Sequence, residues 1–218
     1  MTSVIIADDD DLMRAGLIEL LTVDPSIEIA GEAATGQQAL DRTLRLRPDV
    51  VLMDVRMPDL DGIEATRRLA TAGSTARILI LTTFEQDDYV FAALRAGASG
   101  FLLKRTRPED LIAAVHTVAA GDSLLSPSVT RLVVDRMAQQ PTPDFAELST
   151  LSTLTPRERE VLAALARGLS NREIAAALVV EETTVRTHVK RVLTKLQLRD
   201  RVQAVIFAYE HGLIRPAP

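Results

Sequence analysis

The 218-residue chain contains no cysteine, which excludes disulfides and thiolate metal sites and fits a reducing compartment. It has no apolar run near the roughly 20 residues that a membrane span requires. Thr2-Ser3 leads straight into an apolar stretch, without the charged region and cleavage site of a signal peptide. Histidine is also scarce. His116, His188 and His211 are spaced as helix flank or packing residues, with no ligand pattern for zinc. No internal repeat or low-complexity tract is present. These absences predict a soluble, cytoplasmic protein with no membrane partner.

What the chain does have is apolar content and an uneven charge. At 47% apolar residues and this length, it can build one large core or two ordinary ones. The formal charge of −5 conceals an acidic front and a basic tail. Residues 1–120 hold 12 Lys and Arg against 19 Asp and Glu, residues 121–150 hold 2 against 4, and residues 151–218 hold 11 against 7. Such a split suggests a metal-binding or phosphate-handling domain joined to one that binds nucleic acid.

Up to about residue 120, strand and helix signals alternate. Short apolar runs predict strands near 4–7, 27–31, 49–53, 77–82 and 99–103. Amphipathic stretches predict helices near 11–22, 36–46, 61–71, 87–96 and 107–119. The alternation predicts a doubly wound α/β domain with a five-stranded parallel sheet. Thr106-Arg107-Pro108-Glu109 reads as a capping box for the last of these helices, with Gly121 closing it. Residues 121–150 break the pattern, with one helical piece from Ser128 to Met137 and a Pro-rich, polar linker at 139–144.

Four strands end on polar residues that make one chemical kit. The first ends on Asp8 and Asp9, the third on Asp54, the fourth on Thr82 and the fifth on Lys104. In an open parallel sheet, ligands bind beyond the carboxyl ends of the strands. Three carboxylates, a hydroxyl and an ammonium therefore converge on one crevice. Carboxylates of this kind can hold Mg²⁺, which prefers oxygen ligands. An aspartate beside such a cation can take a phosphoryl group, with Lys104 and Thr82 meeting its oxygens. Asp10 and Asp11 read as the solvated start of a helix rather than as further ligands.

Residues 1–120 resemble the receiver domain of two-component response regulators. The resemblance rests on Ile6-Ala7-Asp8-Asp9, Leu52-Met53-Asp54-Val55-Arg56-Met57-Pro58, Asp61-Gly62, Leu81-Thr82-Thr83 and Ala96-Gly97-Ala98-Ser99-Gly100-Phe101-Leu102-Leu103-Lys104. It implies a flavodoxin-like fold with Asp54 as phosphoacceptor. It also implies Mg²⁺ held by Asp8, Asp9, Asp54 and the Arg56 backbone carbonyl, and a switch pair of Thr82 and Phe101. Arg105 departs from the family, which generally has Pro after the lysine.

From residue 151 onward the signals are helical. Thr155-Pro156-Arg157-Glu158 and Ser170-Asn171-Arg172-Glu173 are capping boxes, and Gly168 stops the first of the two helices they open. A third helix is predicted from about Glu182 to Leu196, and a fourth from Asp200 to His211, stopped by Gly212. The short turn between the second and third has helix-turn-helix spacing. In the third helix Val185, Val189, Val192, Leu193 and Leu196 form a seam for the core. Thr183, Thr187, Lys190, Arg191 and Thr194 lie opposite, with Arg186 at the edge, and suit a DNA major groove. In the fourth helix Val202, Val205, Ile206 and Tyr209 form a stripe that either packs inward or pairs two domains.

Residues 152–214 resemble the four-helix LuxR-type DNA-binding domain. The carrying residues are Leu154-Thr155-Pro156-Arg157-Glu158-Arg159-Glu160-Val161-Leu162, Gly168-Leu169-Ser170-Asn171-Arg172-Glu173-Ile174-Ala175, Thr184-Val185-Arg186-Thr187-His188-Val189 and Lys195-Leu196. The whole chain thus resembles a NarL-type response regulator, with domains at 1–120 and 151–218 and a linker at 121–150. The resemblance implies a transcription factor, not an enzyme, that a sensor histidine kinase phosphorylates and that binds double-stranded promoter DNA. Arg186, Thr187 and Lys190, supported by Arg191, Thr183 and Lys195, would face the DNA. A homodimer would form on phosphorylation or on DNA, and RNA polymerase is a further candidate partner. Glu181 stands where the family usually has a Ser or Asp cap. Two alternatives stay open. A haloacid-dehalogenase-like phosphohydrolase would need an acid two residues after Asp54, where Arg56 stands. A constitutive DNA-binding protein would use the front domain only as a scaffold.

Overall fold

A computed structural model of the chain describes residues 1–83, 87–121, 153–211 and 213. The chain divides into two compact units, Met1–Leu124 and Leu125–Pro218, and each is described by itself.

In the first unit the five apolar runs form β1 (Thr2–Ala7), β2 (Ile27–Ala33), β3 (Val50–Asp54), β4 (Arg77–Thr82) and β5 (Gly100–Leu103). They pair in parallel in the order β2-β1-β3-β4-β5. Between them run α1 (Asp11–Thr22), α2 (Gly36–Leu46), α3 (Gly62–Thr71), α4 (Asp87–Ala96) and α5 (Pro108–Ala119). Alternate side chains of a strand point to opposite faces. Val4, Ile6, Val50, Leu52, Leu79 and Leu81 accordingly share one core with Leu17 and Leu21 of α1 and with Leu111, Val115 and Val118 of α5. The residues between them, including Ile5, Val51, Met53, Ile78 and Ile80, are equally buried, as a sheet covered on both faces requires. The strand order reverses direction at β1 and β3, so the crevice lies where their carboxyl ends diverge.

Local chemistry fixes the helix starts. Asp10 caps α1, its carboxylate accepting from the Leu12 and Met13 amides; Thr35 and Asp61 cap α2 and α3. The capping box expected at Thr106 does not form. Pro108 occupies the first turn of α5, which makes Arg107 the cap residue, and no side chain bonds there. The fixed φ of proline suits the first helical position and sets the frame one residue later than the Thr-x-x-Glu pattern implies. Gly121 does close α5, at φ +85°.

In the second unit α6 (Pro156–Ala166), α7 (Asn171–Leu178), α8 (Glu182–Lys195) and α9 (Arg201–Glu210) surround a small core. Val161, Leu162, Leu165, Ile174, Val185, Val192, Val202 and Val205 are all buried in it. Both capping boxes form: Thr155 exchanges bonds with Glu158, and Ser170 with Glu173. Gly168, at φ +81°, ends α6. The turn between α7 and α8 spans residues 179–181, as the sequence predicts. Val179 sits in the left-handed region at φ 54°, and Glu181 precedes α8 without a side-chain cap bond. The expected helix at 128–137, the linker at 139–144 and the stop at Gly212 lie outside the described residues.

Candidate functional site

At the crevice, β1 delivers Asp8 and Asp9, and β3 ends on Asp54. Ligand oxygens of these three carboxylates lie within 4.8 Å of one another. Asp8 and Asp54 are buried, at 1% and 6% exposure, whereas Asp9 faces solvent. Lys104, just beyond β5, reaches across the sheet ends. Its Nζ lies 2.6 Å from Asp8 Oδ2 and 3.0 Å from Asp54 Oδ2. Burial pulls the Lys104 ammonium down, but its bonds to Asp8 and Asp54 outweigh that and leave it above the ordinary lysine value. Asp54 is pushed above the ordinary carboxylate value by burial, with the nearby Asp8 charge adding, while Lys104 and the Val55 amide oppose. Neutralising two buried carboxylates with one ammonium leaves excess negative charge, and an all-oxygen donor set suits a hard divalent cation.

Backbone contacts hold Asp54 in place. The Val55 amide donates to Asp54 Oδ1 at 2.7 Å, and the Gly62 amide donates to the Val55 carbonyl at 2.9 Å. A Cβ on Gly62 would stand 1.9 Å from the Asp54 carbonyl oxygen, and one on Gly36 would stand 2.0 Å from that of Leu60. Only glycine lets α3 start this close to the phosphoacceptor strand.

Thr82 ends β4 and is buried, and its carbonyl accepts from the Lys104 amide at 2.8 Å. Phe101 is already buried. Every peptide bond among the described residues is trans, including the one between Lys104 and Arg105.

Arg14 is a residue that motif reading missed. From α1 its Nη1 donates to the Asp8 carbonyl at 2.7 Å, and its guanidinium pairs with Asp11 and approaches Glu32 at 3.6 Å. Asp8 Oδ1 in turn accepts from the Asp10 amide at 3.1 Å. Its signal was faint: a lone cation within an acidic first helix.

In the second unit Thr183, Arg186, Thr187, Lys190, Arg191 and Thr194 all stand exposed on one face of α8. Lys195 is exposed as well, but its ammonium is engaged. Its ammonium bonds the buried Glu158 at 2.7 Å and the Thr153 carbonyl at 3.2 Å, because the last turn of α8 carries it over the start of α6. The ion pair sets it apart from the other residues proposed to face DNA. Glu158 is held down to about 2 by Lys195 and the Thr155 amide. The stripe of Val202, Val205, Ile206 and Tyr209 is likewise turned inward. All four are buried, and Tyr209 Oη donates to the Ala166 carbonyl of α6 at 3.1 Å. Packing therefore accounts for all four side chains.

A parallel sheet that gathers acids and one lysine at its switch point, with a helix-turn-helix unit bearing cations, defines a phosphoryl-responsive DNA-binding regulator. The comparisons agree. Residues 4–116 match the response regulator receiver domain, and residues 152–208 match the luxR family of bacterial regulatory proteins. The response regulator protein VraR of Staphylococcus aureus is 39% identical over 212 residues, spanning 97% of this chain and 98% of its own. The crystal structure of ChrA, a response regulator in a heme-sensing two-component system, is 36% identical over 98% of both chains, with a TM-score of 0.53. The receiver domain of a NarL-type regulator from Mycobacterium tuberculosis is 33% identical, covering 55% of this chain and 97% of its own, with a TM-score of 0.54. The chain belongs to the LuxR-type response regulators, a family of transcription factors. A receiver implies a kinase partner, and a luxR-type domain implies DNA. No helix among the described residues is long and apolar enough to cross a membrane.

Proposed function

We propose that Asp54 accepts a phosphoryl group from a sensor histidine kinase in the cytoplasm where this chain acts, and that the modification governs promoter binding by the second unit. The observation that carries this reading is the Lys104 ammonium bridging Asp8 and Asp54 inside an acidic crevice at the sheet's switch point. An Asp54 carboxylate oxygen attacks phosphorus, a P–O bond forms, and the P–N bond to the kinase histidine breaks. Asp8, Asp9, Asp54 and the Arg56 carbonyl are the residues that would hold Mg²⁺, which offsets charge on the transferring oxygens when bound. Lys104 then leaves the Asp54 carboxylate for a phosphoryl oxygen, and the Thr82 hydroxyl donates to another.

Drawing Thr82 toward the phosphoryl group vacates space that Phe101 can fill, which reshapes the surface of α4, β5 and α5. On the DNA side, Arg186, Thr187, Lys190, Arg191 and Thr183 form the proposed contact set. Two copies reading a pseudo-palindrome would place half-site centres about 10 bp apart. For pairing two such domains, α9 is the candidate helix, and RNA polymerase is the downstream partner. The domain limits proposed are 1–120 and 151–218, with a linker at 121–150.

Intact-mass spectrometry with acetyl phosphate and Mg²⁺ tests the chemistry. Wild type should gain one phosphoryl group and Asp54→Asn none. Undiminished labelling of the variant would refute the assignment.

A further inference from the structure

Beside the exposed face of α8, at the first turn, stands one half-buried acid that reaches a cation of that face. Glu182, the first residue of α8, accepts through Oε1 from Arg186 Nη2 at 2.9 Å, one helical turn later. Both side chains are solvated, at 43% and 67% exposure. An acid on a surface that approaches phosphodiesters weakens every electrostatic contact made there, so its place in the contact face is costly on its own. The pair is also a weak source of helix stability, since exposed i,i+4 ion pairs contribute little.

The geometry suggests a different use. A guanidinium has five N–H donors in a planar fork. One bond to Glu182 leaves donors for a bidentate contact with the O6 and N7 acceptors of guanine. An unrestrained arginine samples many rotamers, most of which reach a phosphate as readily as a base. Anchoring one Nη2 hydrogen restricts that search, and the carboxylate disfavours the rotamers that carry Arg186 away from it. The position of Glu182 is itself secured, because an acid in the first turn is favoured by the helix dipole.

We propose that Glu182 is a positioning residue for sequence recognition: it holds the Arg186 fork toward a guanine and penalises non-specific docking. The inference rests on the reading of α8 as the DNA-facing helix.

The test uses the full-length protein and the duplex it selects from random DNA. Dissociation constants are measured at fixed salt for that site, for the site with the Arg186-dependent guanine replaced by adenine, and for unrelated duplex. That guanine is the one whose preference Arg186→Ala abolishes. Glu182→Ala should cut guanine-over-adenine discrimination by about tenfold, within the range of one bidentate base contact, and should raise affinity for unrelated duplex. Glu182→Gln keeps an acceptor without the charge. It should retain most of the discrimination yet show the same rise in non-specific affinity. In an Arg186→Ala background, Glu182→Ala should leave discrimination unchanged. Circular dichroism reports whether each variant keeps its helices.

A uniform rise in affinity with the discrimination ratio intact would reduce Glu182 to a repulsive charge and overturn the proposal. So would a loss of discrimination that persists without Arg186, since Glu182 would then read a base directly. A site whose selection Arg186→Ala does not alter overturns this inference while leaving the DNA-binding reading intact. Failure of the wild type, with or without acetyl phosphate, to select any sequence overturns that reading and this inference with it.

Discussion

Replacing Val179 with asparagine should stabilise the helix-turn-helix unit by about 1 kcal/mol. Val179 ends α7 at φ 54° and ψ 53°, where the Cβ of an L residue crowds the following carbonyl at about 1–2 kcal/mol, and where β-branched residues are true outliers. The residue is 89% exposed, so no buried contact offsets the strain and none is lost on replacement. The Val179 amide donates to the Ala175 and Ala176 carbonyls, a role that any residue except proline keeps. Asparagine tolerates this conformation. Glycine also relieves the strain but gives back about 0.5–1 kcal/mol through a freer unfolded chain. The order of gain should be Asn, then Gly, then Ala, which keeps the Cβ. For a unit of this size 1 kcal/mol moves the thermal midpoint by about 4–8 °C. Thermal unfolding of the full chain, with hydrogen exchange at α7 and α8 amides to isolate the second unit, measures it. An unchanged or lowered midpoint for the asparagine variant would refute the argument, as would an alanine gain equal to that of asparagine.

Other outcomes follow from the crevice and from the second core. Arg14→Gln removes the donor to the Asp8 carbonyl and should weaken Mg²⁺ binding by about tenfold, the usual scale for a group supporting a metal ligand; unchanged titration calorimetry would refute this. Lys195→Met leaves the buried Glu158 with only its Thr155 partners and should destabilise the second unit by about 1–3 kcal/mol, read by denaturation, while affinity for DNA well below the midpoint holds. The Glu158 carboxyl is lowered in the fold from 4.5 to about 2, so its contribution is present above pH 4.5 and is lost as pH falls toward 2. That acid-side loss should be smaller in Lys195→Met. Thr82→Ala should still be phosphorylated, yet its oligomeric state and DNA affinity should no longer follow phosphorylation. Sedimentation that still shifts would show that the hydroxyl is not the relay.

The sheet was legible because each strand is short, apolar and bounded by a polar residue; the observed strands and helices of the first unit fall within a few residues of expectation. The crevice was legible for the same reason, as strand ends converge in a parallel sheet whatever the loops do. The misreadings share a cause: sequence patterns name a residue's capabilities and not its neighbours. Lys195 has the charge for DNA, but only the crossing of α8 over α6 shows that Glu158 holds it. The stripe from Val202 to Tyr209 fits pairing and packing equally, and only the fold shows that all four side chains are buried. Thr106 fits a capping box until Pro108 sets the frame. Arg14 and the left-handed Val179 carry no motif at all.

The close approach at Gly62 has a consequence for genetics. A side chain there collides with the main chain of Asp54, so the smallest substitution shifts the phosphoacceptor without touching its carboxylate. In a mutational scan scored by a reporter gene, Gly62 should therefore behave as though it were part of the chemistry, as intolerant of alanine as Asp54 is of asparagine. The two are separable by second-site suppressors. Loss of the carboxylate has no remedy elsewhere in the chain, whereas displaced backbone can be relieved by trimming what lies behind it, and Met53, whose Cγ is the one side-chain atom among the three nearest that a Cβ at 62 would meet, at 3.0 Å, is where those suppressors should arise.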